Sequence, residues 1–153
     1  MSKLESKVPP MVVVAAFAAT MWLSTGVLPG LVWNFPGRGP LAVSLALAGL
    51  AFATAGVVAF RRAGTTVNPT TPGAASAMVV SGVYRISRNP MYLGFLLLLA
   101  AWAVRLGHPI AFALLPAFAL YMNRFQIRPE ERALAEKFGD DALGYFRSVP
   151  RWL

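Results

Sequence analysis

From Val8 to Gly37 the chain carries no charged residue, and after Arg38 a second uncharged run extends from Gly39 to Phe60. A helix needs about 20 mainly apolar residues to cross a bilayer, and its backbone polar groups must be satisfied within the segment. Two further runs, Asn89–Val104 and Leu106–Asn123, are separated only by Arg105. They are shorter, and Pro109 and Pro116 fall in the last, where neighbouring helices can re-satisfy the backbone. The expected architecture is all-α: one integral membrane domain over 1–153. Four spans are expected near 9–30, 41–60, 90–106 and 109–125, with an amphipathic tail helix near 129–145 at the cytoplasmic face.

Charge supports this reading and orients it. Only 13% of the residues are charged, about half the share of an average soluble domain. The net charge of +8 follows from topology if both termini are cytoplasmic. Lys3, Lys7, Arg61, Arg62, Arg85, Arg88 and every basic residue from Arg124 onward then lie inside, and only Arg38 and Arg105 outside. Trp33 and Trp102 are expected near the outer interface. A nucleic-acid partner is excluded because no soluble basic domain carries the charge. The absence of cysteine excludes disulfides, zinc thiolates and thiol catalysis. Lys3 and Lys7 followed by "AFA" at 16–18 look like a leader, but apolar sequence continues to Trp33, so a retained first helix is expected.

Between the second and third runs lies a long inner connection, residues 61–88, rich in glycine, proline and small polar residues and expected to be mostly loop. It ends in "SGVYRISRNPMYLGFLLLL" (81–99), where two arginines, an asparagine and two tyrosines abut a leucine run. Asn89 suits an N-cap and Pro90 the first helical position. "GHP" (107–109) makes the outer turn of a helical hairpin, and His108 there is read as an interfacial polar residue, not a catalyst. Five of the six acidic residues lie in the tail. "RPEERALAEKF" has helical spacing, with Gly139 as its C-cap and Asp140 as a new N-cap.

No dinucleotide fingerprint, phosphate-binding loop, zinc-protease helix or nucleophile elbow is present. The chemistry is concentrated at the inner rim. A helix N-terminus beginning at Pro90 offers amide donors and a positive dipole end, with Arg88 beside it. Glu130 and Glu131 bring the opposite sign, and Tyr84 and Tyr92 bring aromatic faces for a cation. Such a pocket suits a zwitterion.

"MVVSGVYRISRNPMYLG", then a membrane hairpin, then "EERALAEKFGDDALGYFRSVPRW" resembles the isoprenylcysteine carboxyl methyltransferase and phospholipid methyltransferase superfamily over about residues 64–153. The resemblance implies an integral membrane methyltransferase using S-adenosylmethionine, which is a zwitterion with an added sulfonium, and a lipid-like or amphiphilic acceptor arriving from the bilayer. By motif it implies that Met78 and Val79 contact the cofactor through backbone and that Tyr84 lines the pocket. Asn89, Pro90, Met91 and Tyr92 form the turn around it, and Glu130 and Glu131 bind it from the tail. Two departures bear on the chemistry. Asn89 stands where the family often has histidine, and asparagine does not titrate near neutral pH. Gln126 stands where the prenylcysteine enzymes have an arginine facing the substrate carboxylate, with Arg124 and Arg128 nearby as substitutes. An anionic acceptor would need a cationic neighbour, Arg88 or Arg124, so amine, thiol and carboxylate acceptors stay open. Sterol-type membrane reductases carry a similar "GxYxxxRxPxY" element and bind NADPH; a non-catalytic membrane protein is the third alternative.

Overall fold

A computed structural model describes residues 8–64 and 77–153, and those residues form helices and turns with no strand among them. The helices are α1 (Pro10–Val27), α2 (Arg38–Arg62), α3 (Pro90–Leu106), α4 (Pro109–Met122), α5 (Arg128–Phe138) and α6 (Asp140–Ser148). Residues 65–76 of the connection expected as loop, and the expected basic tail at Lys3 and Lys7, lie outside the described residues.

Three helical stretches are long and apolar enough to cross a membrane: Pro10–Val27, Arg38–Arg62 and Pro109–Phe138. The fourth apolar helix, α3, has 17 residues. Large apolar side chains such as Met11, Trp22, Leu23, Leu47, Leu50 and Leu120 face outward, the pattern of a bundle whose solvent is lipid.

The core sits where α1, α3 and α4 meet, around Met21, Leu99, Phe118, Met122 and Ile127. Phe17 meets Phe118 edge-on at 5.4 Å. The Trp102 indole N–H donates to the Ala18 carbonyl at 3.1 Å, so this tryptophan ties α1 to α3 and is only partly an interfacial residue. On its other side α3 packs along α2. The contact depends on glycine: a Cβ on Gly94 would lie 2.6 Å from the Gly49 carbonyl oxygen and 2.7 Å from the Ala53 nitrogen. In lipid, where apolar burial drives little helix association, such small-residue crossings let backbones approach and gain dispersion contact.

At one end of the bundle the α3–α4 turn is locked to the α1–α2 loop. The Trp33 amide donates to the Gly107 carbonyl at 2.7 Å, and Arg38 donates from Nη1 to Asn34 Oδ1 at 2.6 Å. His108, expected to face the interface, is fully buried. Its Nε2 donates to the Leu28 carbonyl at 3.2 Å and its Nδ1 lies 3.4 Å from Ser24 Oγ. The sequence placed it in a turn; the returning end of α1 covers it. Gly107 has φ +64°, and a Cβ there would overlap the Trp33 carbonyl. Gly107→Ala is therefore expected to lose about 1–2 kcal/mol of stability from the left-handed backbone alone and more from the overlap, read as a lowered unfolding midpoint in detergent.

The sequence also predicted a break between the fourth span and a tail helix over 129–145. Instead α4 runs on through a π-helical turn at Asn123–Ile127 directly into α5. Pro129 cannot donate to residue 125 and its ring presses on that carbonyl, and the widened turn just before it makes the room. The break falls at Gly139, which separates α5 from α6, and Asp140 is the first residue of α6 with Gly139 in the cap position.

Candidate functional site

One end of the bundle is tied together by Val149 to Trp152, which lie against the start of α3. The Arg88 amide donates to the Pro150 carbonyl at 3.0 Å, and Asn89 Nδ2 donates to the Arg151 carbonyl at 2.9 Å. Trp152 Nε1 donates to Asn123 Oδ1 at 3.2 Å, at the π turn. Asn89 occupies the N-cap position of α3, but its side chain makes no cap. It is drawn instead to the tail carbonyl, and Ser87 Oγ accepts the Asn89 amide at 3.1 Å.

The two acidic residues at the start of α5 do different things. Glu131 binds two guanidinium groups: Arg88 Nη1 at 2.8 Å, and Arg151 through Nε at 3.0 Å and Nη2 at 2.6 Å. The paired carboxylate holds the Arg151 pKa above its ordinary value. Glu130 faces the other way and accepts a hydrogen bond from the buried Tyr92 hydroxyl. One turn of helix thus supplies a structural clamp and a partly buried carboxylate beside an aromatic ring.

Tyr84 is buried between them, edge-on to Phe60 at 5.4 Å. Its carbonyl accepts from the Tyr145 hydroxyl at 2.7 Å. Burial, reinforced by the nearby Tyr145 and Glu130, pushes the Tyr84 hydroxyl pKa well up, and burial raises that of Tyr145 to about 12. Both phenols stay protonated donors across the physiological range. The Arg88 guanidinium stacks 4.9 Å from the centre of the Phe146 ring, and its buried Nε has no partner. That unused donor points to an anion as its complement.

Beside this cluster Met78, Val80, Arg85, Asp141, Tyr145, Ser148 and Val149 line an open cleft of about 490 Å³. Met78 is half-buried there and Val79 is buried just behind it. Pro90 is buried, while Met91 packs over Gly56 of α2. The structure therefore gathers Met78, Val79, Tyr84, Arg88, Asn89, Pro90, Tyr92, Glu130 and Glu131 at one end of the bundle. Arg124 is exposed and stacks 5.5 Å from the centre of the Phe125 ring. Gln126 is buried and donates from Nε2 to the Val8 carbonyl at 2.6 Å. Sequence reasoning missed Arg151, Tyr145 and Phe146 as members of the cluster. The only cue was the terminal "VPRW", whose backbone carbonyls find partners some sixty residues upstream, at Arg88 and Asn89.

These features define a helical membrane protein with a two-signed polar site at one end of its bundle. Residues 38–141 match the phospholipid methyltransferase family, and the chain belongs to it. It is 46% identical over 63 residues to an uncharacterized protein of Haemophilus influenzae, a match covering 41% of this chain and all of that protein. It is 38% identical over 76 residues to protein-S-isoprenylcysteine O-methyltransferase B of Arabidopsis thaliana, covering 48% of this chain and 37% of that protein. No solved structure matches.

Proposed function

We infer that the chain is an S-adenosylmethionine-dependent methyltransferase. It is a single integral membrane domain over 1–153 with four spans, α3 being the shortest, and with both termini cytoplasmic. At 17 residues, α3 is at the lower limit for crossing the hydrocarbon core. The acceptor is an amphiphile whose head group meets the cofactor at the inner rim. Family membership supports the reaction class. The observation that carries the site is the pairing of a buried unused donor, Arg88 Nε, with a carboxylate held by Tyr92 only one residue from the Arg88 clamp.

The residues fit the cofactor's chemistry. Arg88 and the amides at the start of α3 would take its carboxylate. Glu130, Tyr84 and Tyr92 would face its cationic side. Met78 and Val79 would contact it through backbone, Asn89, Pro90 and Met91 would form the turn beneath it, and Glu131 would hold Arg88 and Arg151 in place. When bound, the cofactor supplies an activated methyl group; the protein supplies alignment, worth about 7–11 kcal/mol in well-oriented systems.

Calorimetry with adenosylhomocysteine tests the site. Glu130→Ala is expected to abolish binding. Tyr92→Phe is expected to weaken it about tenfold, the effect of losing one hydrogen bond to a charged group. Binding unchanged in both variants would refute the assignment. A thermal shift with NADPH and none with adenosylhomocysteine would favour a reductase, and a shift with neither a non-catalytic protein.

A further inference from the structure

Leu120, Arg124, Arg128 and Arg132 are exposed, and every residue between them is buried or half-buried. The same stripe begins further up α4, at the exposed Ala113, Pro116 and Ala117. The side of the helix that meets acyl chains therefore changes from apolar to arginine at Arg124 and stays arginine at each following turn. The π turn makes this alignment. In an uninterrupted α-helix each step of four residues overshoots a full turn by about 40°, so three steps from Leu120 would carry Arg132 about 120° round. The wider turn at Asn123–Ile127 takes up the drift. Counted from Pro109, Arg124 lies about 23 Å and Arg132 about 35 Å along the helix. Against roughly 30 Å of hydrocarbon, the three guanidinium groups reach the phosphate level, Arg124 by extending its stem. Tyr121, its ring 4.8 Å from Phe125, sits near the same level, where tyrosine is enriched. Glu136 ends the stripe one turn beyond Arg132, so three cations stand to one carboxylate. Glu130, held by Tyr92, is two residues from Arg128 and so on the far side of the helix. The arginine stripe is separate from the reaction cluster.

We propose that Arg124, Arg128 and Arg132 seat an anionic phospholipid of the surrounding bilayer, which is bound and not methylated. Its acyl chains lie along the apolar stripe of residues 113–120, and its phosphate accepts hydrogen bonds from the guanidinium groups. The planar fork of arginine matches two oxygens of one phosphodiester, and charge assistance strengthens each bond. A zwitterionic lipid carries the same phosphate, but its cationic end meets the next arginine along the stripe and is repelled. The seat therefore discriminates by net charge, and it needs both the basic and the apolar part of the stripe. The proposal rests on α4 spanning the bilayer and not on the methyl-transfer reading.

The test places the full chain in vesicles mixing phosphatidylcholine with phosphatidylglycerol, releases it into mild detergent, and identifies the retained lipids by native mass spectrometry. Phosphatidylglycerol should be retained above its share of the mixture, and added salt should reduce that excess. Arg128→Gln and Arg132→Gln should each weaken retention about fivefold, the effect of one arginine at an anionic surface. The control is the double variant Arg61→Gln/Arg62→Gln, which removes two positive charges from the end of α2 and should keep most of the excess. The matching double variant Arg128→Gln/Arg132→Gln should lose it. Retention in proportion to the mixture would overturn the proposal. So would equal losses in the two double variants, since the attraction would then be to net charge alone. Thermal stabilisation by inorganic phosphate as large as that by phosphatidylglycerol would also overturn it, because the apolar stripe would contribute nothing. Should the Arg128→Gln/Arg132→Gln chain fail to fold, the single variants and the wild-type lipid series decide. Extraction of the wild-type chain from vesicles by alkaline carbonate would remove the spanning helix, and the proposal with it. No methyl donor is present, so the result is independent of the methyl-transfer reading.

Discussion

Glu131→Ala should lower stability by about 3 kcal/mol, at the lower end of what removing one partner of a buried ion pair costs. Glu131 pairs with both Arg88, whose side chain is 13% exposed, and Arg151, at 33%. Without it, two guanidinium groups face each other in a partly dehydrated space. The exposure of Arg151 keeps the expected loss from rising further. Arg151→Leu should cost only about 1 kcal/mol, because Glu131 then still pairs with Arg88 and the lost partner is the more solvated one. Unfolding midpoints in detergent measure both, and faster tryptic cleavage at Arg147 would report release of the tail. The contrast with Glu130 is informative. Loss of Glu131 should act on stability first and on cofactor affinity through it, whereas loss of Glu130 should act on affinity with the fold retained. An unchanged midpoint in Glu131→Ala would mean that the clamp contributes nothing.

The second large effect is expected at the α2–α3 crossing. Gly94→Val places a branched Cβ where even a single carbon would come within 2.7 Å of backbone atoms on α2. The opposing atoms are the Gly49 carbonyl and the Ala53 nitrogen, which have no rotamer to escape through. Overpacking of this kind typically costs about 1–3 kcal/mol where side chains can yield; against two rigid backbones the upper end or beyond is expected. Gly94→Ala should show the smaller version of the same loss. Because α3 carries Tyr92 two residues before Gly94, the variant should also weaken adenosylhomocysteine binding. A Gly94→Val chain that expresses, melts and binds like the parent would show that the crossing is looser than drawn.

The features legible in the sequence are those with a local signal. Uncharged runs marked α1 and α2, Asn89-Pro90 marked the start of α3, and "GHP" marked the hairpin turn. Glu130 and Tyr92 were named as members of one site, and they touch. What stayed hidden depends on partners far apart in the chain. Nothing near Asn89 announces that its side chain serves the Arg151 carbonyl instead of its own helix. Nothing near His108 shows that the end of α1 covers it. The π turn escaped because the fourth span was bounded by the end of its uncharged run, and only the widened backbone before Pro129 reveals that the helix continues past it. The resemblance placed Glu131 with Glu130 at the cofactor; its pairing with two arginines follows from helical rotation, which turns neighbouring side chains in different directions.

The uninterrupted course from Pro109 to Phe138 has a mechanical corollary. Thirty residues of helix measure about 45 Å, against roughly 30 Å of hydrocarbon. With this stretch set across a bilayer, the surplus would stand clear of the lipid as a mast, with the acidic pair fixed partway up it. The height of the polar cluster above the acyl chains would then be governed by local bilayer thickness and by the lean of a single rod.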